Sequence, residues 1–457
     1  MKKTELKEKK TSELEQFGAN TWFVESLFKQ YQENPSSVPE QWKSFFKDIT
    51  GESKDNGKKL SASLMFTSLE YPKPDNDDEI QIIAGSTTRI LDNMNNSLTV
   101  PTATSQRTIP VKLMEENRTL LNQYLQKLKQ KKISFTNLIS WAILKSIKLM
   151  PVMNSAFSII DGKPAVIKRK KVNLGIAIDI EKKGGSRSLI VPNIKNADKL
   201  NFKDFIAVYE DLIIRSRKGL IDPSEFFGTT ISLTNPGTIG TVSSIPRLMV
   251  GQGTIVAAGA IQYPAEYQAM SPNTISALGI SKVMNITSTY DHRIIQGAES
   301  GLFLKAIHDH LLGEHYFYDE IFEDLRVPLK PLRWMTDYQP GTFSQSTNAE
   351  EIEKQAQILQ LINMYRVRGH LIADLDPLGA QNTYFPDLDP ATYKLTFWDY
   401  DRVFITGGLI PGLRTATLRE ILEILQKTYC EKIGIEYMHI QNSEEKTWLQ
   451  SKMEPIK

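Results

Sequence analysis

The chain has 457 residues, of which 40% are hydrophobic and 24% charged, and its formal net charge is +2. That length exceeds one ordinary core and implies two or three domains, with the balance of a soluble globular protein. The near-neutral charge argues against a dedicated nucleic-acid surface, the single cysteine (Cys430) excludes an intrachain disulfide or cysteine-built zinc site, and no stretch approaches a membrane span.

The start, MKKTELKEKKTSELEQ, is basic like a signal peptide but has no apolar run behind it. Together with the lone thiol this predicts a cytoplasmic protein. Residues 1–15 read as loose. Within 1–48 a small helical segment follows, in which Trp22, Phe23, Leu27 and Tyr31 recur at helical spacing. The turn NPSSVPE leads to a second short helix with Trp42, Phe45 and Phe46. Two such helices cannot bury this much aromatic surface alone. Two readings stay open: they pack on the rest of the chain, or they form a docking hairpin for a partner. Residues 49–80 are polar, with Gly, Pro and both charge signs, and read as a linker.

Residues 81–325 hold the main domain. A helix is predicted around 110–130 from Leu113, Leu120, Leu121, Tyr124, Leu125 and Leu128, and another after the N-cap Ser134. VNLGIAIDI (172–180) alternates and reads as a strand; a helix over 203–217 stops at Gly219. Further strands are predicted at 229–234, 254–261 and 283–290, with a closing helix at 298–312. The mixture lacks a strict βαβ rhythm, which favours a two-layer α/β sandwich over a doubly wound sheet. Residues 326–348 are Pro-rich at first and read as a second linker. A long helix spans 349–372 and another 415–428, so the last segment, 349–457, is mainly helical, with no evident completed core.

The best site candidate is DHRIIQG, Asp291 to Gly297, where an alternating strand ends and a helix begins. A histidine there projects from a rigid edge, and imidazole suits proton transfer near neutrality. A lone histidine is more often structural, so the neighbourhood decides. STYDHRIIQG closely resembles the active-site motif of the dihydrolipoamide acyltransferases of 2-oxo-acid dehydrogenase complexes, which share a fold with chloramphenicol acetyltransferase. VNLGIAID (172–179), LIVPNIKNADKL (189–200) and TTISLTNPGTIGT (229–241) also resemble that family, in its order.

The resemblance implies a chloramphenicol-acetyltransferase-like sandwich, with His292 as general base toward the coenzyme A thiol and Thr234 as donor to the oxyanion. The substrates it implies are coenzyme A and a lipoamide arm supplied in trans. It also implies a homotrimer with each active site between two subunits; by the charge and hydropathy above, no nucleic acid and no membrane are expected as partners. The chain departs from the usual motif at Gln296, where the family has aspartate. HRIIQG instead is similar to the actinobacterial-type multifunctional 2-oxoglutarate dehydrogenases, which fuse a succinyltransferase domain to a thiamine-dependent decarboxylase. FGANTWFVESLFKQYQENPSSVPEQWKSFF, VPTATSQRTIPVKLMEENR (100–118), PLRWM (331–335), LQLINMYRVRGHLIADLDPLG (359–379), LTFWDYDRVF (395–404) and IGIEYMHI (433–440) resemble the same branch.

By that resemblance 349–457 is an incomplete decarboxylase start. Dihydrolipoamide dehydrogenase, a lipoyl-bearing protein and the remaining decarboxylase region are the expected partners. Thiamine diphosphate and Mg²⁺ belong to the full-length relative, since no GDG motif occurs here, and no DKA lipoyl-lysine motif occurs either. A degraded assembly scaffold is the competing reading, with Gln296 its main support. Other features read blandly: KLKQKK (127–132) and KRKK (168–171) as solvated surface, GQGTIV (251–256) as a turn, and His308, His310 and His315 as a solvated helix end rather than metal ligands.

Overall fold

The computed structural model describes residues 21–43, 46, 94–181, 187–337, 347–376, 384–410 and 413–454. Residues 1–15, the stretch 49–80 and, within the 326–348 stretch, residues 338–346 lie outside them. In chain order the first helix is α1 (Thr21–Glu33), followed by strand β1 (Thr102–Pro110) and helices α2 (Lys112–Lys127) and α3 (Phe135–Leu149). Next come β2 (Ala156–Ile160) and β3 (Lys163–Ile167), β4 (Leu174–Ile176), β5 (Ile178–Glu181) and β6 (Arg187–Ile190), β7 (Asn193–Ile194) and α4 (Phe202–Lys218). The domain continues through β8 (Ile231–Thr234), β9 (Thr254–Ala258), α5 (Pro272–Ala277), β10 (Val283–Asp291), α6 (Gly297–Leu311) and α7 (Phe317–Asp324).

Six strands make the main sheet, in the order β1-β10-β9-β8-β4-β7. β8 runs parallel to β4 and β9, while β10 is antiparallel to both of its neighbours. Helix α6 lies against β1 and β10 and packs on α3, so helices form the second layer. This is the two-layer α/β sandwich expected from the sequence. Local chemistry sets its pieces. The Ser134 hydroxyl accepts from the Asn137 N–H at 3.2 Å and the Ser134 N–H donates to Asn137 Oδ1 at 2.8 Å, a reciprocal cap that starts α3. Gly219, at φ 71°, ends α4 in the left-handed conformation.

The single strand predicted over 172–180 is two strands. β4 belongs to the main sheet and β5 pairs with β6 in a separate hairpin. The reason lies in the neighbour: β8 ends at Thr234, and Pro236 opens a 3₁₀ turn there. The chain beyond Ala177 has no strand to follow on that side and turns to β6 instead.

Of the two readings of the N-terminal segment, packing on the rest of the chain is observed. The Trp42 indole N–H donates to the Ile221 carbonyl at 2.6 Å, and Phe23 meets Phe226 with centroids 5.7 Å apart. Trp42, Phe46 and Phe23 join the same buried cluster as the main domain.

The C-terminal unit comprises α8 (Thr347–Arg368), β11 (Val403–Ile405), β12 (Thr415–Thr417), α9 (Leu418–Tyr429) and α10 (Ser443–Met453). Contrary to the sequence reading, it has a core of its own, in which Ile358, Leu361, Tyr365, Leu409, Leu425 and Tyr429 are buried together. Leu388, Leu395 and Leu409 reach this core from turns and loops, where no periodicity announces them.

Charged side chains, together with the buried Phe397 and Trp398, bind this unit to the main domain. Arg419 on α9 grips Glu116 of α2 with two hydrogen bonds of 2.9 and 2.6 Å. Lys112 reaches both Glu116 and Asp401. Burial opposes the Lys112 charge, yet the two carboxylates carry its pKa above the ordinary value. Arg402 pairs with Asp337 and Asp399 and donates to the Ser276 carbonyl at 3.3 Å. The residues from Arg326 to Asp337, polar and Pro-rich in sequence, run between the two units. Asn117 exchanges two hydrogen bonds with the Leu332 backbone, at 3.2 and 2.8 Å, and the Trp398 indole donates to the Met335 carbonyl at 2.9 Å.

Glu116 is only 2% exposed, so its charge depends on its partners. Arg419→Met should cost about 2–3 kcal/mol, below the full cost of breaking a buried pair because Lys112 remains and Arg419 is a third exposed. The check is a fall in the urea midpoint with an unchanged slope; an unchanged midpoint would show that the grip contributes nothing.

Candidate active site

β10 is held on both sides to its last residue. The Asp291 N–H donates to the Gly253 carbonyl at 3.0 Å, and the His292 N–H donates to the Pro101 carbonyl at 2.9 Å. The chain then turns, with the Ile295 N–H donating back to the Asp291 carbonyl at 3.0 Å, and α6 begins. His292 sits in this turn and is exposed. Its ring meets the buried Tyr290 edge-on, with centroids 5.5 Å apart. A rigid strand end thus presents an imidazole to solvent, the arrangement that proton transfer to or from a substrate requires.

The flanking residues fix the turn. Asp291 is 2% exposed and accepts three hydrogen bonds from Arg293: from the backbone N–H at 3.1 Å, from Nε at 2.9 Å and from Nη2 at 2.6 Å. The hydrogen-bonded Asp291 carboxylate pushes the Arg293 pKa up against the opposing effect of burial. The guanidinium lies 3.9 Å over the Phe157 ring of β2. Gln296 is the N-cap of α6, exposed, and its N–H donates to Glu299 Oε2 at 2.7 Å.

Thr234, half-buried, ends β8. The next side chain, Asn235, donates to the Thr136 hydroxyl at 2.8 Å. A Cβ on Gly237 would fall 2.3 Å from the Gly259 carbonyl carbon, so the turn after Thr234 lies directly on the exit of β9.

The sheet does not bring His292 and Thr234 together. Thr254 lies opposite Tyr290 on one side and Ile231 on the other, while Ala257 lies opposite both Thr287 and Thr234. His292 is therefore five residues along β10 from the level of Thr234, and two strands away. Strand rise and spacing make that about 15–20 Å. Within one chain the two candidates occupy opposite ends of the sheet.

The remaining features fall elsewhere. His310, read as part of a solvated helix end, is 5% exposed, and its Nδ1 lies 2.7 Å from the Ala306 carbonyl. Because the end of α6 packs on α3 and α7 beneath His315, the ring is covered rather than solvated. Among the described residues no three potential metal ligands stand together. Gly251, at φ 87°, lies in a turn before β9, as read. Cys430 is buried, and burial pushes its thiol up to about 12, so it stays protonated at neutral pH. A cavity of 530 Å³ between α2 and the C-terminal unit, lined by Tyr124, Leu332, Tyr365 and Cys430 among others, includes neither His292 nor Thr234. No described helix is long and apolar enough to cross a membrane.

The sequence reading missed the Asp291–Arg293 pair, although its signal was present: opposite charges flanking a histidine at i and i+2. Phe157 gave no signal, since only the fold brings β2 to the turn.

Comparison with known proteins identifies the family. Residues 75–315 match the model of the 2-oxoacid dehydrogenases acyltransferase catalytic domain, and residues 16–53 match that of the 2-oxoglutarate dehydrogenase N-terminus. The chain belongs to the 2-oxoacid dehydrogenase acyltransferase family. It is 44% identical, over 96% of its length, to a multifunctional 2-oxoglutarate metabolism enzyme of Mycolicibacterium vanbaalenii, and 40% identical to one of Mycobacterium sp. strain JLS. It spans 39% and 40% of the length of these two relatives. Among solved structures, a probable dihydrolipoamide acetyltransferase from Listeria monocytogenes is similar with a TM-score of 0.44 and 24% identity, over 51% of this chain and 94% of that one. The cubic core of a pyruvate dehydrogenase multienzyme complex is similar with a TM-score of 0.44 and 22% identity, over 53% and 96%.

Burial lowers the His310 pKa below 6.5, with His315 and Lys145 also disfavouring its charge. The unfolded chain therefore binds more protons than the folded one as pH falls through that value, and stability must fall with it. Urea denaturation at pH 7.5 and 5.5 should show the loss, and His310→Gln should lessen it. An equal loss in the variant would remove His310 from the account.

Proposed function

We propose that this chain transfers a succinyl group between dihydrolipoamide and coenzyme A, with His292 as the base. The observation that carries the reading is the placement of an exposed imidazole at the end of β10, backed by Tyr290 and fixed by the turn around Asp291. An unprotonated ring nitrogen takes the proton of the coenzyme A thiol, which is otherwise mostly protonated near neutrality. The sulfur attacks the thioester carbonyl carbon of succinylated dihydrolipoamide. A tetrahedral oxyanion forms, and the Thr234 hydroxyl donates to it. Such a donor is typically worth about 3–4 kcal/mol. Collapse breaks the bond to the dihydrolipoamide sulfur, which takes the proton back from His292.

The distance between His292 and Thr234 supports a homotrimer in which each site draws its base from one subunit and its oxyanion donor from the next. The lipoyl group comes from another protein, and dihydrolipoamide dehydrogenase reoxidises it. The succinyl preference rests on the named relatives, which metabolise 2-oxoglutarate. In a full-length enzyme of that kind, thiamine diphosphate with Mg²⁺ would supply decarboxylation. The sequence has no GDG motif for that cofactor, and among the described residues no group of potential metal ligands stands together.

Gln296 serves as the N-cap of a helix, a role that needs no carboxylate. His292→Ala should lower succinyl transfer from succinyl-coenzyme A to dihydrolipoamide by on the order of 10²-fold or more, with unchanged circular dichroism. Gln296→Asp should stay within a few-fold of the natural chain. Undiminished transfer by His292→Ala would overturn the assignment, whereas coenzyme A binding without turnover in the natural chain would favour a scaffold.

A further inference from the structure

We infer that Arg293 and Phe157 are positioning residues, which hold the His292 imidazole in register for proton transfer by clamping the Asp291 carboxylate beneath the turn. The inference rests on the proposed role of His292.

Three observations meet at this point. The Asp291 side chain is nearly fully buried, next in sequence to the exposed histidine. Buried in that way, it needs donors, and Arg293 supplies a backbone N–H and two parallel guanidinium N–H groups, a planar match that an ammonium cannot reproduce. The guanidinium carbon in turn lies 3.9 Å from the centre of the Phe157 ring, where the cation is drawn to the ring face. Phe157 belongs to the β2–β3 hairpin, which lies outside the main sheet. Two residues on either side of His292 are thereby locked to each other and to a separate element. His292 between them has one ring neighbour, Tyr290, and a backbone hydrogen bond to Pro101. Its side chain is otherwise placed by the turn, so the turn's rigidity becomes the imidazole's rigidity. A misplacement of about 1 Å from a residue away from the chemistry can cost as much as 10²-fold in rate.

A purely structural pair would affect stability, or binding and turnover alike. A positioning pair should lower kcat while KM holds. The test uses the full chain, with succinyl-coenzyme A and dihydrolipoamide as substrates and thermal midpoints recorded for every variant. Arg293→Lys keeps the charge and loses the fork; kcat should fall about 10-fold, with KM for succinyl-coenzyme A within about twofold and little change in midpoint. Phe157→Leu should lower kcat several-fold, and Phe157→Tyr, which restores an aromatic face, should recover most of it. The inference is overturned if kcat is unchanged in Arg293→Lys, if the change lies in KM, if Phe157→Tyr is as impaired as Phe157→Leu, or if the losses track the midpoints. His292→Ala in the same assay separates the two claims. If it retains the natural rate, the base assignment itself fails; if it is inactive while Arg293→Lys is unimpaired, only the positioning role falls.

Discussion

Nine consecutive residue pairs hold β1 along β10, from Thr102 opposite Asp291 to Pro110 opposite Val283. With β9 on its other side, β10 has its backbone groups satisfied on both edges until it ends. That pairing fixes where His292 emerges and at what level of the sheet. It also fixes, through β9, how far His292 stands from Thr234. Register in a sheet is not adjustable by small steps, because a slip of one residue would move every side chain of β10 to the opposite face. The distance between the two candidate groups is therefore a property of the fold, and the chemistry has to accommodate it.

The two outer segments are attached in different ways. The N-terminal segment is held by aromatic burial and by the hydrogen bond from the Trp42 indole to the Ile221 carbonyl. The C-terminal unit has its own core and meets the main domain both through ion pairs of Arg419, Lys112, Glu116, Asp401 and Arg402 and through Phe397 and Trp398, which are buried in the main domain's cluster. Buried ion pairs add little net stability over apolar packing but are intolerant of a missing partner, so they define a relative orientation. Asp399 shows the same logic inside the unit: burial opposes its charge, yet Lys354, Thr396 and Arg402 keep its pKa below the ordinary value.

Much of the fold was legible in the sequence where periodicity or capping is strong. Helices α3 and α4 start and stop at the residues whose side chains or φ values demand it, Ser134, Asn201 and Gly219. β10 and α6 were legible for the same reason. β1 was not, because TATSQRTIP carries few apolar residues; its place is set by pairing with β10 rather than by a hydrophobic face. The split at Ala177 depended on where a neighbouring strand ends, which no local pattern records. His292 and Thr234 were reached through resemblance of motifs, since a lone histidine and a strand-end threonine are ordinary in themselves. The surroundings of His292 were half-legible: Asp291 and Arg293 stand in the motif, while Phe157 stands 135 positions before His292 in a segment with no mark upon it.

We propose that one active site takes His292 from one subunit and Thr234 from another. Subunit mixing tests it most directly. Chains carrying His292→Ala and chains carrying Thr234→Val, each nearly inactive alone, are refolded together in equal amounts. With random mixing around a closed ring, about a quarter of the sites should contain both groups. Succinyl transfer recovering to near that fraction of the natural rate is the expected result. No recovery, in mixed trimers shown to have formed, would place both groups in one chain and contradict the shared site.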